Sequence, residues 1–176
     1  MVHRFSILAI ASLLAACSST PTVKTDFDPA ARFASYRTYT WIGKPTGGDP
    51  LNQQRIVDGI DAKLQSKGWK LATDGDVQVG AQVATQEKRD YTTYYSAAGY
   101  GYGWGGFGPG VATTTSYTYE VGTLVVDMFD AKSKRAVWHG SASGTLPSNS
   151  DKVPALLQAS LDKMFANFPP GSAPPK

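Results

Sequence analysis

Cysteine and histidine are nearly missing from this 176-residue sequence, which contains only Cys17, His3 and His139. A chain with one cysteine forms no disulfide of its own, so bridges do not stabilise its fold. If the N-terminal segment is removed as argued below, His139 is the only histidine left. A histidine-rich metal site and a Cys–His catalytic pair are then excluded within one chain. We therefore predict neither a metal nor a cofactor.

Charged residues are also few, at 18% of the sequence, with a formal net charge of +3. The basic residues are scattered, and the only run, KSKR at 132–135, lies between two apolar stretches and is predicted to form a hairpin turn. A weak positive balance without a basic cluster gives no support to nucleic-acid binding. The hydrophobic content of 41% and the length indicate one folded domain rather than a disordered chain.

No apolar run is long enough to span a bilayer, and the clearest one lies at the N-terminus. Residues 5–16 follow a basic start and have the length of the hydrophobic region of a secretory signal. The residues LAAC at 14–17 are similar to the bacterial lipobox, in which the cysteine is acylated and becomes the first residue after cleavage. We therefore predict a lipoprotein signal peptide at 1–16 and a lipidated tether at 17–22, with lipidation at Cys17. The alternative is an ordinary signal peptide with an unmodified thiol.

The predicted tether also indicates the location of the protein in the cell envelope. Two or more acyl chains hold a protein firmly on a membrane. In lipoproteins of double-membraned bacteria the residue after the cysteine directs sorting, and Ser18, unlike an aspartate there, implies export to the outer membrane. Residues 18–23 extend at most about 20–25 Å, so the domain is expected close to the bilayer. The predicted location is the periplasmic face of the outer membrane, held by the lipid anchor.

The pattern of apolar residues predicts a single α+β domain over residues 23–169, followed by a tail at 170–176. Residues 23–27, 36–42, 77–88, 116–130 and 135–146 have the alternation or the β-branched and aromatic content of strands. Asp49 and Pro50 begin a helix that continues over 51–67, and an apolar stripe over 153–168 predicts a second helix. Short turns between strands favour a single antiparallel β-sheet, with the two amphipathic helices packed on one face.

Several of these features together resemble a known family. They are the lipobox, DFDP at 26–29, YRTYTW at 36–41, a helix ending in KGW, GTLVVDMFDAKSKRAVWHGSASGTL at 122–146, and a last helix ending in FP. These features are similar to those of a bacterial envelope lipoprotein family catalogued as domain of unknown function 4136. The resemblance covers nearly all of the chain after the signal peptide, and it implies a fold and an envelope location. It implies no activity, and no catalytic or ligand-binding residue is carried over from it.

The sequence contains no clear catalytic constellation. The residue types of a Ser-His-Asp triad are present, with His139, a serine and either Asp127 or Asp130. However, no G-x-S-x-G motif occurs, and Ser141 and Ser143 lie on the same predicted strand as the histidine. Aspartates beside turns commonly accept backbone hydrogen bonds. Closely spaced carboxylates occur at Asp26/Asp28, Asp74/Asp76 and Asp127/Asp130. We predict that the protein is not an enzyme. The alternative is an envelope hydrolase acting on glycan or lipid through carboxylates that the fold brings together.

A glycine- and aromatic-rich segment, YYSAAGYGYGWGGFGPG at 94–110, lies in a predicted loop at 89–115. It contains G-x-G-x-x-G, but a dinucleotide site needs a helix after this motif, and Pro109 with a threonine-rich stretch follows here. Three interpretations are open: a mobile hairpin end, an aromatic surface that contacts membrane, glycan or a partner, or side chains folded back onto the second face of the sheet. The candidate contact residues are Tyr94, Tyr95, Tyr100, Tyr102, Trp104 and Phe107.

The function predicted from the sequence rests on the lipobox, the short tether, the missing catalytic constellation and the aromatic segment. It is that of an outer-membrane-anchored periplasmic lipoprotein that serves as a non-enzymatic binding or envelope-maintenance module. The predicted partners are the membrane, through lipidated Cys17, and an envelope protein or glycan. We expect no nucleic-acid partner.

Overall fold

A computed structural model describes residues 20–46, 48–96 and 111–171. The predicted signal peptide and Cys17 lie outside these residues, as do four of the candidate contact residues, Tyr100, Tyr102, Trp104 and Phe107. The backbone of Tyr95 is described, but its side chain lies outside the described atoms. Only Tyr94 of that set has a described side chain.

Six strands form one sheet in the described part of the chain. They are β1 (Thr22–Phe27), β2 (Thr38–Gly43), β3 (Lys70–Leu71), β4 (Val77–Ser96), β5 (Val111–Asp130) and β6 (Ala136–Thr145). Their order across the sheet is β1-β6-β5-β4-β2-β3. β4 and β5 pair along their whole length and are far longer than the other strands. The two ends of the loop predicted at 89–115, residues 89–96 and 111–115, therefore belong to strands β4 and β5 in the structure.

Two α-helices accompany the sheet in the described residues, α1 (Pro50–Ser66) and α2 (Val153–Met164). The predicted cap at Asp49 is confirmed, because its carboxylate accepts a hydrogen bond from the Leu51 N–H at 2.7 Å. Pro50 occupies the first turn, where an N–H is not needed. Gly68 follows the end of α1 with a φ of +86°, the left-handed conformation that commonly terminates helices.

The predicted single antiparallel sheet is wrong, because the sheet is mixed. β2 runs parallel to both β3 and β4, whereas the pairs β1–β6, β6–β5 and β5–β4 are antiparallel. The cause is α1, which lies between β2 and β4 in the chain. A crossover through a helix returns the chain to the starting edge of the sheet, so the next strand runs in the same direction. The broader α+β class holds in outline.

The hydrophobic core lies on the face of the sheet that carries both helices. Alternate residues of β4 and β5 point into it, and Val79 and Met128 are completely buried. From the helices, Ile60 and Leu161 pack into the same cluster. Where β4 begins, the core becomes aromatic: the ring of Phe168 lies 5.3 Å from that of Trp69 and 5.4 Å from that of Trp138. Edge-to-face packing of this kind adds stabilisation beyond the buried area alone.

Candidate functional site

β4 and β5 continue beyond the rest of the sheet as a two-stranded ribbon. The pairing of β2 with β4 ends at Gly80, and that of β6 with β5 ends at Val121. Among the described residues, 87–96 and 111–120, here called the ribbon, pair as strands only with each other. At the base of the ribbon, the Leu146 N–H also donates to the Glu120 carbonyl oxygen at 2.8 Å. At about 3.3 Å per residue the ribbon is roughly 30 Å long. A hairpin without further strands gains little stability of its own, so this length calls for a functional explanation.

Tyrosines project from both faces of the ribbon. Tyr94 and Tyr117 lie on one face and are 66% and 72% exposed, while Tyr91 on the other face is 66% exposed. Tyr119 shares the face of Tyr117, because the two are separated by one residue of the same strand. Desolvation raises the pKa of Tyr119, and the neighbouring carboxylate of Asp90 raises it further. The ribbon therefore presents neutral, amphipathic rings to its surroundings.

Charge is confined to the base of the ribbon. A charged collar, next to the body of the sheet, consists of Glu87, Lys88, Arg89, Asp90 and Glu120. Between Asp90 and Glu120 the sequence has no aspartate, glutamate, lysine, arginine or histidine. This uncharged stretch carries all six of the predicted contact residues together with Tyr91, Tyr117 and Tyr119. An aromatic, uncharged extension thus follows a charged base.

Apart from the Glu120 carbonyl, which accepts from the Leu146 N–H, both edges of the ribbon are free of pairing within the described sheet. Beyond Gly80 and Val121, every second N–H and C=O group of each strand points away from its ribbon partner. Exposed edges of this kind are adhesive unless they are blunted by charge or covered. Here the charge stops at Asp90, so the outer part of the ribbon has unpaired edges as well as exposed rings.

The chain enters the domain at the same end as the ribbon. Thr22 pairs with Ser143, Ser143 with Thr123, and Thr123 with Ala84, close to where the ribbon begins. β1 then runs away from the ribbon, because it is antiparallel to β6. Pro21 is buried there, and its carbonyl oxygen lies 3.4 Å from the Lys163 Nζ. The first described residues, Thr20 and Pro21, therefore lie at the ribbon end of the domain.

The predicted neighbours of His139 are only partly brought together. His139 Nδ1 lies 2.7 Å from Asp127 Oδ1 across two adjacent strands, and 48% of the histidine side chain is exposed. Ser143 instead lies 3.0 Å from the Thr123 hydroxyl. Ser141 is on the same face, two residues along the strand from His139. A half-exposed histidine that contacts an aspartate on the sheet surface lacks the enclosure that a catalytic group requires.

The turn carboxylates of Asp76 and Asp130 are occupied by hydrogen bonds. Asp76 accepts from the backbone N–H of Arg37 at 2.9 Å and of Thr38 at 3.0 Å, and these bonds lower its pKa. The Ser133 backbone N–H, at 2.7 Å, is the main cause that lowers the pKa of Asp130 to about 2. Both carboxylates stay ionised near neutral pH. Neither provides the protonated acid that glycoside hydrolysis needs.

The described ranges show neither a metal-binding cluster nor a membrane-spanning helix. Within residues 20–46, 48–96 and 111–171, no group of three or more histidine, cysteine, aspartate and glutamate side chains is arranged to hold a metal ion. In the same part of the chain, no helix combines the length and the apolar character required to cross a membrane.

Reasoning from the sequence missed three aromatic residues of the ribbon, the exposed Tyr91 and Tyr117 and the half-buried Tyr119. Two signals pointed to them. The alternation of tyrosine and threonine at 113–119 is that of a strand with one aromatic face, and the interval from Asp90 to Glu120 is uncharged. The structure shows that Tyr94 and Tyr117, which are 23 positions apart in sequence, share a face of the ribbon.

Comparison with known proteins gives a family and a fold. Residues 23–170 match the model of a family described as Domain of unknown function (DUF4136). No curated protein matches the chain. The family match spans the described core and the whole ribbon, so the ribbon forms part of the region of similarity.

Solved structures share this fold at low sequence identity. A DUF4136 family protein from Bacteroides thetaiotaomicron has a TM-score of 0.53 and 17% identity, covering 86% of this chain and 97% of that one. A PDZ domain protein from Parabacteroides distasonis has a TM-score of 0.53 and 14% identity, covering 88% of this chain but 37% of that larger one. A PelC dodecamer from Paraburkholderia phytofirmans has a TM-score of 0.51 and 11% identity, covering 83% and 96%. At these identities the similarities establish the fold alone.

Proposed function

The chain belongs to the DUF4136 family, and we propose that it is a lipid-anchored bacterial envelope protein that binds through its ribbon and catalyses no reaction. In this proposal, Cys17 carries the lipid and the outer membrane is the anchoring membrane, with the domain on the periplasmic side. The ribbon is the contact surface, and the membrane interface is what it contacts. Each part is supported by a separate observation.

The observation that carries the proposal is that the tether and the ribbon share one end of the domain. Cys17 precedes Thr20 by three residues, so an acyl group on Cys17 is held within about 10 Å of that end. The ribbon extends roughly 30 Å from the same end. The ribbon is longer than the tether that separates this end of the domain from the anchored lipid. It therefore has to lie against or along the bilayer.

The chemistry of the ribbon suits the membrane interface rather than the hydrocarbon interior. Tyrosine and tryptophan favour the headgroup region, where the ring is sheltered and the polar atom is hydrated. The unpaired N–H and C=O groups at both ribbon edges need hydrogen-bond partners, which headgroups and water supply and hydrocarbon does not. The charged collar at 87–90 and Glu120 lies where the headgroup region meets water in this arrangement, so its charges stay hydrated.

The enzymatic alternative, an envelope hydrolase, is less well supported. A hydrolase of this kind requires two carboxylates that converge in a walled cleft, and one of them has to be protonated. Asp28, Asp76 and Asp130 line one cavity of about 480 Å³, but the lowered pKa values of Asp76 and Asp130 leave neither of these two protonated near neutral pH. These arrangements favour structural roles for the aspartates.

The anchor is tested by the Cys17→Ala variant expressed in a double-membraned bacterium. We expect the wild-type protein to sediment with outer membranes and to lose the mass of residues 1–16 while gaining that of acyl chains. The variant should keep its signal peptide or leave the membrane. A variant that remains membrane-bound at the mature mass of the wild-type protein contradicts lipid anchoring.

The ribbon contact is tested with spin labels on the lipidated protein in vesicles of phosphatidylethanolamine and phosphatidylglycerol. Acylation blocks Cys17, so Tyr117→Cys introduces a single reactive thiol. Leu71→Cys is the matched control, because Leu71 is 55% exposed and lies on β3, near where β4 begins. We expect the label at 117 to be shielded from a water-soluble relaxing agent at least threefold more than the label at 71. Equal accessibility of the two labels overturns the membrane contact. Shielding seen only in native envelopes assigns the ribbon to another partner.

A further inference from the structure

An apolar cavity lies at the ribbon end of the core, on the helix side of the sheet. It has a volume of about 260 Å³ and opens between the first turns of α1 and α2. The strands β4, β5 and β6 supply its floor and the two helices supply its walls. The aliphatic side chains that line it include Ile56, Val83, Leu124, Leu146, Leu156 and Leu157. Val83, at its floor, is 40% exposed, so the described residues leave this part of the core open.

Gly122 and Gly144 line the floor of the cavity, and the absence of side chains there leaves the space open. A Cβ atom at Gly122 would lie 2.8 Å from the Leu146 Cδ2, which is closer than side-chain carbons approach. A Cβ atom at Gly144 would lie 3.5 Å from the Leu156 Cδ1, in ordinary contact. A larger side chain at Gly144 would therefore project into the space that the cavity occupies. The apolar lining suits a hydrocarbon chain.

The N-terminal chain passes beside this cavity. A Cβ atom at Gly144 would lie 3.8 Å from the Pro21 Cα, and Gly144 lines the cavity. Cys17 precedes Pro21 by four residues, which span at most about 14 Å. An acyl chain attached to Cys17 thus starts within reach of the cavity mouth, and tethering gives it a high effective concentration there.

We infer that this cavity holds one acyl chain of the lipidated Cys17 of the same molecule. The inference rests on the lipid anchor of the proposed function. Burial of a methylene group removes it from water at a gain of about 0.8 kcal/mol, in a bilayer or in an apolar cavity. Moving one chain from the bilayer into the cavity is therefore nearly neutral, while the remaining chains keep the protein anchored. When the protein is off the membrane, the cavity shelters a chain that water would otherwise surround.

The test is photocrosslinking within the full-length lipidated protein. Photo-leucine, which has nearly the shape of leucine, replaces Leu156 at the cavity wall, and in the control protein it replaces the distant and exposed Leu71. After irradiation in native envelopes, mass spectrometry identifies what is joined to each position. We expect the peptide containing position 156 to be joined to the acyl chain of the N-terminal Cys17 peptide of the same molecule. We expect position 71 to give no such product.

A pair of glycine variants adds a matched control. Gly144→Leu fills the cavity, whereas Gly80→Leu makes the same change at a β4 position where a Cβ atom would meet nothing within 4 Å. We expect Gly144→Leu to lower the crosslink yield at position 156 at least fivefold and Gly80→Leu to leave it unchanged. Because the photo-leucine protein keeps the wild-type core, the first measurement stands even if Gly144→Leu does not fold.

Four other outcomes overturn the inference and are distinguishable. A crosslink from position 156 to phospholipid chains alone makes the cavity a site for membrane lipid. A crosslink to residues 5–16 means that an uncleaved apolar segment fills it. An acylated Cys17 peptide with no crosslink to position 156 defeats the inference and leaves the anchor intact, whereas an unacylated Cys17 peptide defeats the anchor itself.

Discussion

At the scale of single residues, Tyr36 and Asp130 show how the polar atoms at the edge of the core are satisfied. The Tyr36 hydroxyl donates a hydrogen bond to Asp130 Oδ2 at 2.9 Å. Burial, followed by this bond, raises the pKa of Tyr36 to about 12. Asp130 also accepts from the Ser133 N–H and hydroxyl, which hold its pKa at about 2. A neutral tyrosine and an ionised aspartate thus fix the β5–β6 turn to the segment before β2.

The Asp130→Asn variant should make the protein less stable and less sensitive to acid. The folded-state pKa of Asp130 is about 2, below its ordinary value of 3.8. Its contribution is therefore complete above about pH 4 and is lost as the pH falls towards 2. We expect the variant to lose roughly 1–2 kcal/mol of unfolding free energy at pH 7, and the difference from wild type to shrink at pH 2. Urea denaturation at both pH values measures it. Asp74→Asn, an exposed turn position, is the control, and an equal loss there contradicts the assignment.

Gly75 is a position where side-chain size alone should decide stability. A Cβ atom there would lie 2.5 Å from the backbone nitrogen of Thr40, and backbone cannot move aside as a flexible side chain does. We expect Gly75→Ala to lower the free energy of unfolding by about 3 kcal/mol. The same change at Gly80, where a Cβ atom meets nothing within 4 Å, should alter it by less than about 0.5 kcal/mol. Thermal and urea unfolding of the two variants, measured side by side, compares them; similar values would contradict the steric explanation.

Local features of the sequence were sufficient for some residues and not for others. The cap at Asp49 is predictable because its partner, Leu51, is two residues away. The bond between Tyr36 and Asp130 joins residues 94 positions apart, and no local pattern pairs them. The exposed rings of Tyr91 and Tyr117 also depend on where β6 and β2 stop, which a single strand's sequence does not reveal.

At the scale of elements, the prediction failed where pairing depends on the order of strands. The alternation at 77–88 identified β4, but period-2 alternation is the same in parallel and antiparallel strands. The direction of β2 relative to β4 is set by the crossover through α1. The strand structure at both ends of the predicted loop, 89–115, was missed for a related reason. Two strands that shelter only each other need no apolar face, so their polar, threonine-rich sequence was not recognised as strand.

The ribbon should be separable from the fold. None of its residues belongs to the buried cluster of the core. Replacing residues 89–118 by Asn-Gly joins Lys88 to Tyr119, which are directly opposite each other, through a turn that hairpins favour. We expect the free energy of unfolding to change by less than about 1 kcal/mol. Urea denaturation measures it, with Met128→Ala, a fully buried residue, as a reference that should cost roughly 2–5 kcal/mol. A loss as large as the reference would make the ribbon part of the core.

At the scale of the whole molecule, three features meet at one end: the point where the tether enters, the open cavity and the base of the ribbon. A Cβ atom at Gly144, on the cavity floor, would lie 3.8 Å from the Pro21 Cα, and the cavity lining includes Thr85, next to the first ribbon residues. The opposite end is closed by rings packed around Phe168. Under the proposed function, this polarity would give the protein a membrane end and a distal end, and the distance between anchor and domain would be a functional variable.

Lengthening the tether should therefore weaken the contact between ribbon and bilayer. Twenty glycine and serine residues inserted between Ser18 and Ser19 would give a flexible linker with a root-mean-square length of roughly 25 Å, which lowers the effective concentration of the ribbon at the membrane surface. We expect shielding of a spin label at Tyr117→Cys to fall at least threefold in vesicles, while the protein stays anchored through Cys17. The same insertion after Gly171 is the control, because it leaves the ribbon end unchanged. If shielding is independent of tether length, the ribbon binds the membrane by its own affinity, and placement by the anchor is not what brings it there.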